Sequence, residues 1–313
     1  MTKIKKLSFV FVALLVVSLV LTWVGRKEKV VAVDKTLFAV ADTTQMVSLA
    51  IASGADQIVI KREKKSWKIN DQYNADPQLI YLTQRILNAV QTQRPVSQSN
   101  FESIKKELQT DGKLVTVGFE DGHTQQFYAG GNTAKTTAYF GNESLTKIYT
   151  VAIPGYKSYL SGIFELSLNQ WRDRVLFASS WRTIQELEIN YTSSDQENLS
   201  IRFDQQFLAV RGVSVLDTAA LMNYLQPLEF FQLNDYLTPG NFPKYDSLLD
   251  EAPIATVKLQ DINPSNNRQL AIYPKIAGEQ FYLVMDQANE MIVVDAVRME
   301  RFLVGSSAFK RQE

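Results

Sequence analysis

The sequence predicts an α+β protein: an N-terminal transmembrane helix followed by two similar halves, each a mostly antiparallel sheet with packed helices. Three observations lead to this fold. Short alternating apolar runs separated by turn residues are typical of antiparallel strands. Each half contains an apolar helical pattern that opens on an aspartate. The same order of elements recurs about 140 residues later, which indicates an internal repeat.

These patterns divide the 313 residues into a series of segments. We predict a cytoplasmic tail (1–6), a transmembrane anchor (7–24), a tether (25–43), a first α+β repeat (44–170), a joint (171–177) and a second α+β repeat (178–309). A chain of this length has room for about two domains, which fits two repeats.

The anchor is an uncharged apolar run, LSFVFVALLVVSLVLTWV, from Leu7 to Val24. A helix of this length just crosses a hydrocarbon core of about 30 Å. Lysines at positions 3, 5 and 6 favour a cytoplasmic N-terminus and an extracytoplasmic body. A cleaved signal peptide is the alternative, but residues 22–26 lack a small-x-small cleavage site. We therefore predict a single-pass inner-membrane protein whose bulk is periplasmic.

The first half combines a β-rich pattern with two helices. Strands are predicted over residues 44–51, 57–62, 66–70, 113–119, 125–129, 137–140 and 147–152. Asp76 and Pro77 open the first helix as N-cap and first helical residue, and a second helix covers 101–110. Connections are predicted as a charged turn at 61–65, a loop at 130–132 and a short helix within 153–164.

The second half repeats this order. Strands are predicted over residues 184–191, 198–204, 206–211, 255–259, 269–273, 281–282 and 292–294. Asp217 caps a helix whose apolar face contains Leu221, Met222, Leu225 and Leu228. The offset between matching elements drifts only from about 139 to about 143 residues, although few residues are identical.

Composition narrows the possible chemistry. The 33 basic and 33 acidic residues balance, so no basic face for nucleic acid is expected. The chain has no cysteine and a single histidine, His123, in a predicted turn. Asp246, Asp250 and Glu251 lack the spacing of a calcium loop and are interpreted as a solvated acidic loop. We predict no catalytic residues, no metal and no cofactor, and hence no enzyme.

Several segments carry a resemblance to a known family. They are Phe38–Thr43, Ile58–Arg62, Trp67–Asn70, the helix opening at Ala75–Asp76, Tyr149–Gly155 and Trp171–Arg174. In their order, the chain from about Leu37 to Phe177 resembles the DUF4340 family of bacterial envelope proteins, a domain of unknown function. The resemblance implies a single-pass membrane protein encoded beside components of ABC-type or gliding-motility-like transporters. It defines no catalytic residue.

The segment Trp171, Arg172, Asp173 and Arg174 is the candidate contact site. One hypothesis is partner docking, because Trp and Arg concentrate binding energy at interfaces. The other is an interdomain clamp, with Trp171 filling the seam and Asp173 either accepting hydrogen bonds from Arg172 or Arg174 or capping a following turn. The position of the segment between the two repeats favours the clamp.

Taken with the family resemblance, these features predict a membrane-anchored, non-enzymatic accessory subunit that contacts the membrane and ABC-type transporter subunits. The alternative is a stand-alone envelope module that binds polysaccharide or lipid through aromatic side chains. An enzyme would require paired carboxylates in a pocket, and the sequence shows no such pair.

Overall fold

The computed structural model describes residues 11–20, 33–64 and 66–311. Residues 11–20 form helix α1, whose apolar side chains are exposed. The remainder of the predicted anchor, 7–10 and 21–24, lies outside the described residues. Within the described residues, 11–20, 33–64 and 66–311, no helix is both long enough and apolar enough to cross a membrane.

The fold is α+β with antiparallel sheets, as predicted. The first sheet contains β1 (Met46–Ser53), β2 (Asp56–Glu63), β3 (Ser66–Ile69), β4 (Tyr73–Asn74), β5 (Gln91–Pro95), β6 (Lys113–Phe119), β7 (Thr124–Gly131), β8 (Ala138–Asn142) and β9 (Ile148–Ala152). Their order across the sheet is β4-β3-β2-β1-β6-β7-β8-β9-β5.

The second sheet follows in the chain. Its strands are β11 (Ile184–Tyr191), β12 (Leu199–Asp204), β13 (Phe207–Val210), β15 (Asp235–Leu237), β16 (Ala255–Asp261), β17 (Arg268–Ile272), β18 (Phe281–Asp286) and β19 (Met291–Asp295). Their order is β13-β12-β11-β16-β17-β18-β19-β15, and a separate two-stranded ribbon pairs β10 (Val175–Phe177) with β14 (Phe231–Gln232).

The remaining helices are short. They are α2 (Pro77–Ala89), α3 (Phe101–Thr110), α4 (Leu168–Trp171), α5 (Thr218–Leu225), α6 (Pro243–Asp246) and α7 (Ala296–Phe302). The two predicted aspartate caps are confirmed. Asp76 Oδ1 accepts a hydrogen bond from Gln78 N at 2.8 Å, and Asp217 Oδ1 accepts one from Ala220 N at 2.9 Å.

The described residues divide into two compact units. One contains the residues up to Thr43 together with Arg85–Leu114 and Gln126–Ser161, and the other contains Thr44–Gln84, Val115–Gln125 and the chain from Gly162 onwards. In the first unit, the rings of Phe38 and Phe127 pack with Phe140 at centroid distances of 5.6 and 4.7 Å. In the second unit, the inner face of the second sheet packs on α5 and α7 through Leu225 and Phe302.

Some predicted connections are wrong. The charged turn predicted at 61–65 is shorter than expected: Lys61 and Arg62 belong to the strand predicted over 57–62, which continues to Glu63 as β2, and they form ion pairs with Asp71 and Glu120. Residues 130–131 end β7 instead of forming a loop: a side chain at Gly131 would meet the Tyr159 ring at 2.3 Å, so glycine there permits close packing of a strand.

Two further predictions fail for local reasons. The predicted helix within 153–164 is a 3₁₀ turn over Leu160–Glu165. The predicted acidic loop is α6 followed by a 3₁₀ turn, because the Asp246 carboxylate accepts hydrogen bonds from the backbone N–H groups of Gly240 and Phe242. Strands β4, β5, β10, β14 and β15 were not predicted, since they are short or polar and show no alternation.

Candidate functional site

The predicted contact segment begins at the end of α4. Ser167 and Gln170 form a capping box, in which each side chain accepts a hydrogen bond from the other residue's backbone N–H. This cap starts a single helical turn that places Trp171 fully inside the protein, with 0% exposure. Its indole Nε1 has no hydrogen-bond partner among the described residues, so the ring acts through packing.

The backbone of the segment pairs with the chain just after β4. Asp76 N donates to Trp171 O and Asp173 N donates to Asn74 O, each at 2.9 Å. Ala75 and Arg172 therefore form an isolated antiparallel bridge. These bonds fix residues 171–173 against residues 74–76, which lie far away in the sequence.

The Arg172 side chain occupies the centre of the site. Its guanidinium carbon lies 3.9 Å from the ring centroid of Tyr73 and 3.5 Å from that of Tyr236, so the cation contacts both aromatic rings. Nη2 also forms an ion pair with Glu290, and the two side chains are only 9% and 25% exposed. We call the set Tyr73, Arg172, Tyr236 and Glu290 the arginine clamp.

Different elements present the members of the arginine clamp. Tyr73 lies on β4 and Tyr236 on β15. Glu290 is in the turn before β19, where its backbone N donates to Asp286 Oδ1 at 2.8 Å. The ion pair is partly buried, and such a pair is costly to break from one side because the remaining charge loses its partner.

The Tyr236 hydroxyl links the arginine clamp to the backbone of Asp173, the residue after Arg172. Its hydroxyl donates to Asp173 O at 2.7 Å, and Asn169 Nδ2 donates to Tyr236 O at 3.2 Å. Burial raises the pKa of Tyr236 to about 12, against the opposing effect of Arg172. The hydroxyl therefore stays protonated and keeps donating throughout the neutral range.

The other two predicted residues lie at the edge of the site. The Asp173 carboxylate accepts from Val175 N at 3.1 Å, and burial raises its pKa, with Asp76 adding like-charge repulsion. Arg174 has a buried Nε with no partner among the described residues, while its carbonyl accepts from Leu233 N at 2.9 Å. Asp173 does not neutralise Arg172, because the carboxylate that pairs with Arg172 comes from Glu290.

A polar cavity of about 590 Å³ lies beside the arginine clamp. Its polar lining includes Asn74, Asp173, Asn266, Arg268, Gln287 and Glu290. Arg268 is already engaged, since it donates to the carbonyls of Leu176 and Ser265 at 2.9 and 2.7 Å. The cavity thus offers amide and carboxylate groups suited to hydroxyl ligands, and both of its guanidinium groups are held by the protein.

The predicted solitary histidine is exposed. The His123 side chain is 57% exposed, stacks on Phe119 at a centroid distance of 4.1 Å and contacts the Asp121 carboxylate. Within residues 11–20, 33–64 and 66–311, no group of three or more His, Cys, Asp or Glu side chains is arranged to hold a metal ion.

Sequence reasoning identified Arg172 but missed its partners. Tyr73, Tyr236 and Glu290 lie far from it in the sequence and belong to no recognisable motif. The predicted clamp placed Arg172 at a contact between distant parts of the chain, but it specified none of these side-chain partners. Comparison with known proteins finds no matching family model, no matching curated protein and no matching solved structure.

Proposed function

We propose that this protein is a membrane-anchored, extracytoplasmic accessory subunit of an ABC-type transport or motility assembly, without enzymatic activity of its own. The observation that carries the proposal is the uncharged run over residues 7–24 followed by a large folded body. The resemblance of Leu37–Phe177 to the DUF4340 family supports the same role, because it implies an envelope protein associated with transporters.

In this proposal the Trp171–Arg174 segment supports the body from within. Trp171 is fully buried and the Arg172 guanidinium already contacts two rings and a carboxylate, so neither group is free to react with a substrate. The arginine clamp would keep the body rigid while it is held at the membrane.

We also infer that the body consists of two similar halves. In the first sheet the order β3-β2-β1-β6-β7-β8-β9 ends beside β5, and in the second β13-β12-β11-β16-β17-β18-β19 ends beside β15. Along the chain, α2 precedes β5 and α5 precedes β15, and each of these helices opens on an aspartate. Duplication of one α+β unit accounts for this correspondence.

Crosslinking in the native membrane tests the transport role. A tagged full-length chain is crosslinked in its host, and the captured proteins are identified by mass spectrometry. We expect transporter permease and ATPase subunits, and we expect their loss when residues 7–24 are replaced by an unrelated anchor. Recovery of the tagged chain alone would contradict the proposal.

The second candidate is an envelope module that binds polysaccharide or lipid. The polar cavity beside the arginine clamp favours a polysaccharide, because aromatic rings, amides and carboxylates together suit sugar hydroxyl groups. Calorimetric titration of the full chain with envelope glycans tests this role. Saturable heat that disappears in Gln287→Ala would favour the glycan module over the transport subunit.

A further inference from the structure

A second cavity, of about 520 Å³, lies between α7 and the 3₁₀ turn Gln226–Phe230. We call it the Phe230 cavity. Its floor is formed by core side chains, since Leu228, Phe231 and Phe302 are only 1%, 4% and 4% exposed. At its rim, Phe230 and Val297 are 59% and 57% exposed. The cavity therefore extends from exposed apolar groups at the surface down to the apolar core of the second sheet.

Two arginines line the wall of this cavity. The Arg298 guanidinium donates to Gln232 O and lies 5.7 Å from the ring centroid of Phe231. The Arg301 side chain is exposed and forms no ion pair or hydrogen bond within the part of the chain that the structure describes. Its guanidinium is thus available to an anion at the mouth of the cavity.

In the described part of the chain, the acidic side chains near Arg301 do not form an ion pair with it. Asp295 also lines the cavity, but its carboxylate accepts from Arg298 N at 3.0 Å as the N-cap of α7. Glu300 pairs with Lys275 at 3.1 Å. Glu229 precedes Phe230 in the chain and is exposed. Two arginines against one lining carboxylate give the cavity wall a positive excess.

We propose that the Phe230 cavity binds a single-chain anionic amphiphile, such as a medium-chain carboxylate or phosphate monoester. The apolar body would lie against Phe230, Phe231 and Val297, and the anionic head would accept hydrogen bonds from Arg301. The volume falls within the range of roughly 300–1,000 Å³ that is usual for small-ligand sites. This inference does not depend on the transport role.

Photoaffinity labelling tests the proposal on the full chain in zwitterionic lipid nanodiscs. The probe is a decanoate that carries a diazirine, and labelled peptides are mapped by mass spectrometry. We expect label on the peptides around Phe230 and Arg301, competed by decyl phosphate but not by uncharged decanol. Arg301→Glu and Phe230→Ala should each lower this label by about tenfold. The first removes the cation that binds the anionic head, and the second removes the ring that packs on the apolar chain.

Two variants elsewhere in the second unit serve as controls. Arg211→Glu reverses an exposed arginine, and Phe203→Ala truncates a phenylalanine that is 48% exposed, both outside the cavity. Neither should change the label. Equal labelling in Arg301→Glu, or equal competition by decanol, would overturn the proposal because partition into lipid would explain it. Crosslinks between two chains at Phe230 would also overturn it, since they would make this face an interface between copies.

Discussion

At the scale of single residues, the Arg172 side chain is held by contacts from three other parts of the chain. Its guanidinium is stacked between Tyr73 and Tyr236 and paired with Glu290, at 9% side-chain exposure. Lysine cannot replace this arrangement, since only the planar guanidinium stacks on two rings and donates in the same plane.

Removal of Arg172 should therefore destabilise the protein strongly. We expect Arg172→Ala to lower the free energy of unfolding by about 2–4 kcal/mol, because Glu290 is left partly buried without its partner and both ring contacts are lost. Urea unfolding of the full chain measures the change. Lys61→Ala is the control: Lys61 pairs with Asp71 and the two side chains are 51% and 64% exposed, so little change is expected. Equal losses in the two variants would refute a special role for Arg172.

Asp173 gives the site a pH dependence. Because burial raises its pKa above the ordinary 3.8, the folded protein holds this proton more tightly than the unfolded chain does. Its contribution to stability is therefore present below the ordinary pKa and is lost as the pH rises through the raised value. Asp173→Asn should remove this loss, so the stability of the variant relative to wild type should increase with pH in that window.

The exposed Asp121 supplies a control of opposite sign. Backbone and side-chain hydrogen bonds from His123 lower the pKa of Asp121, so its contribution is present above the ordinary pKa and is lost as the pH falls through the lowered value. Unfolding free energies of Asp173→Asn and Asp121→Asn, measured across the acid range, should show opposite trends relative to wild type. Parallel trends would contradict the assigned causes.

At the scale of elements, local capping signals predicted where helices begin, whereas several connections between elements were predicted wrongly. Asp76-Pro77 and Asp217 mark the starts of α2 and α5, because a cap is a local hydrogen-bond pattern. Strand β5 (Gln91–Pro95) carried no such signal. Only Thr92 among its residues is buried, and the strand exists because it pairs with β9 at the edge of the sheet. The five residues of this strand alone do not predict such a pairing.

Helix α4 is too short to be stable without its cap. We expect Ser167→Ala to cost about 1 kcal/mol, because the capping box supplies both of its side-chain hydrogen bonds at the turn that leads to Trp171. Thermal unfolding followed by circular dichroism measures the loss. Ser194→Ala, in the exposed turn after β11, is the matched control and should leave the midpoint nearly unchanged. An unchanged midpoint in Ser167→Ala as well would show that α4 depends on packing alone.

At the scale of the whole molecule, the sequence predicted the α+β class and most of the strands, but neither their order across each sheet nor the contacts at the candidate site. Periodicity and turn residues report on each strand alone, so they sufficed for β6 and β11, whose predicted limits match the structure. The arginine clamp depends on Tyr73, Tyr236 and Glu290, which meet only after β4, β15 and β19 have taken their places. No pattern near Arg172 encodes those partners.

Arg172 contacts three distant segments of the chain, and we infer that it holds them together as one internal support. Hydrogen–deuterium exchange of the full chain, compared with Arg172→Lys, is the direct test of this role. We predict faster exchange in the peptides that cover residues 72–76, 235–237 and 288–292, with α3 unchanged as an internal reference. Exchange that rises only next to residue 172, or equally along the whole chain, would contradict the claim.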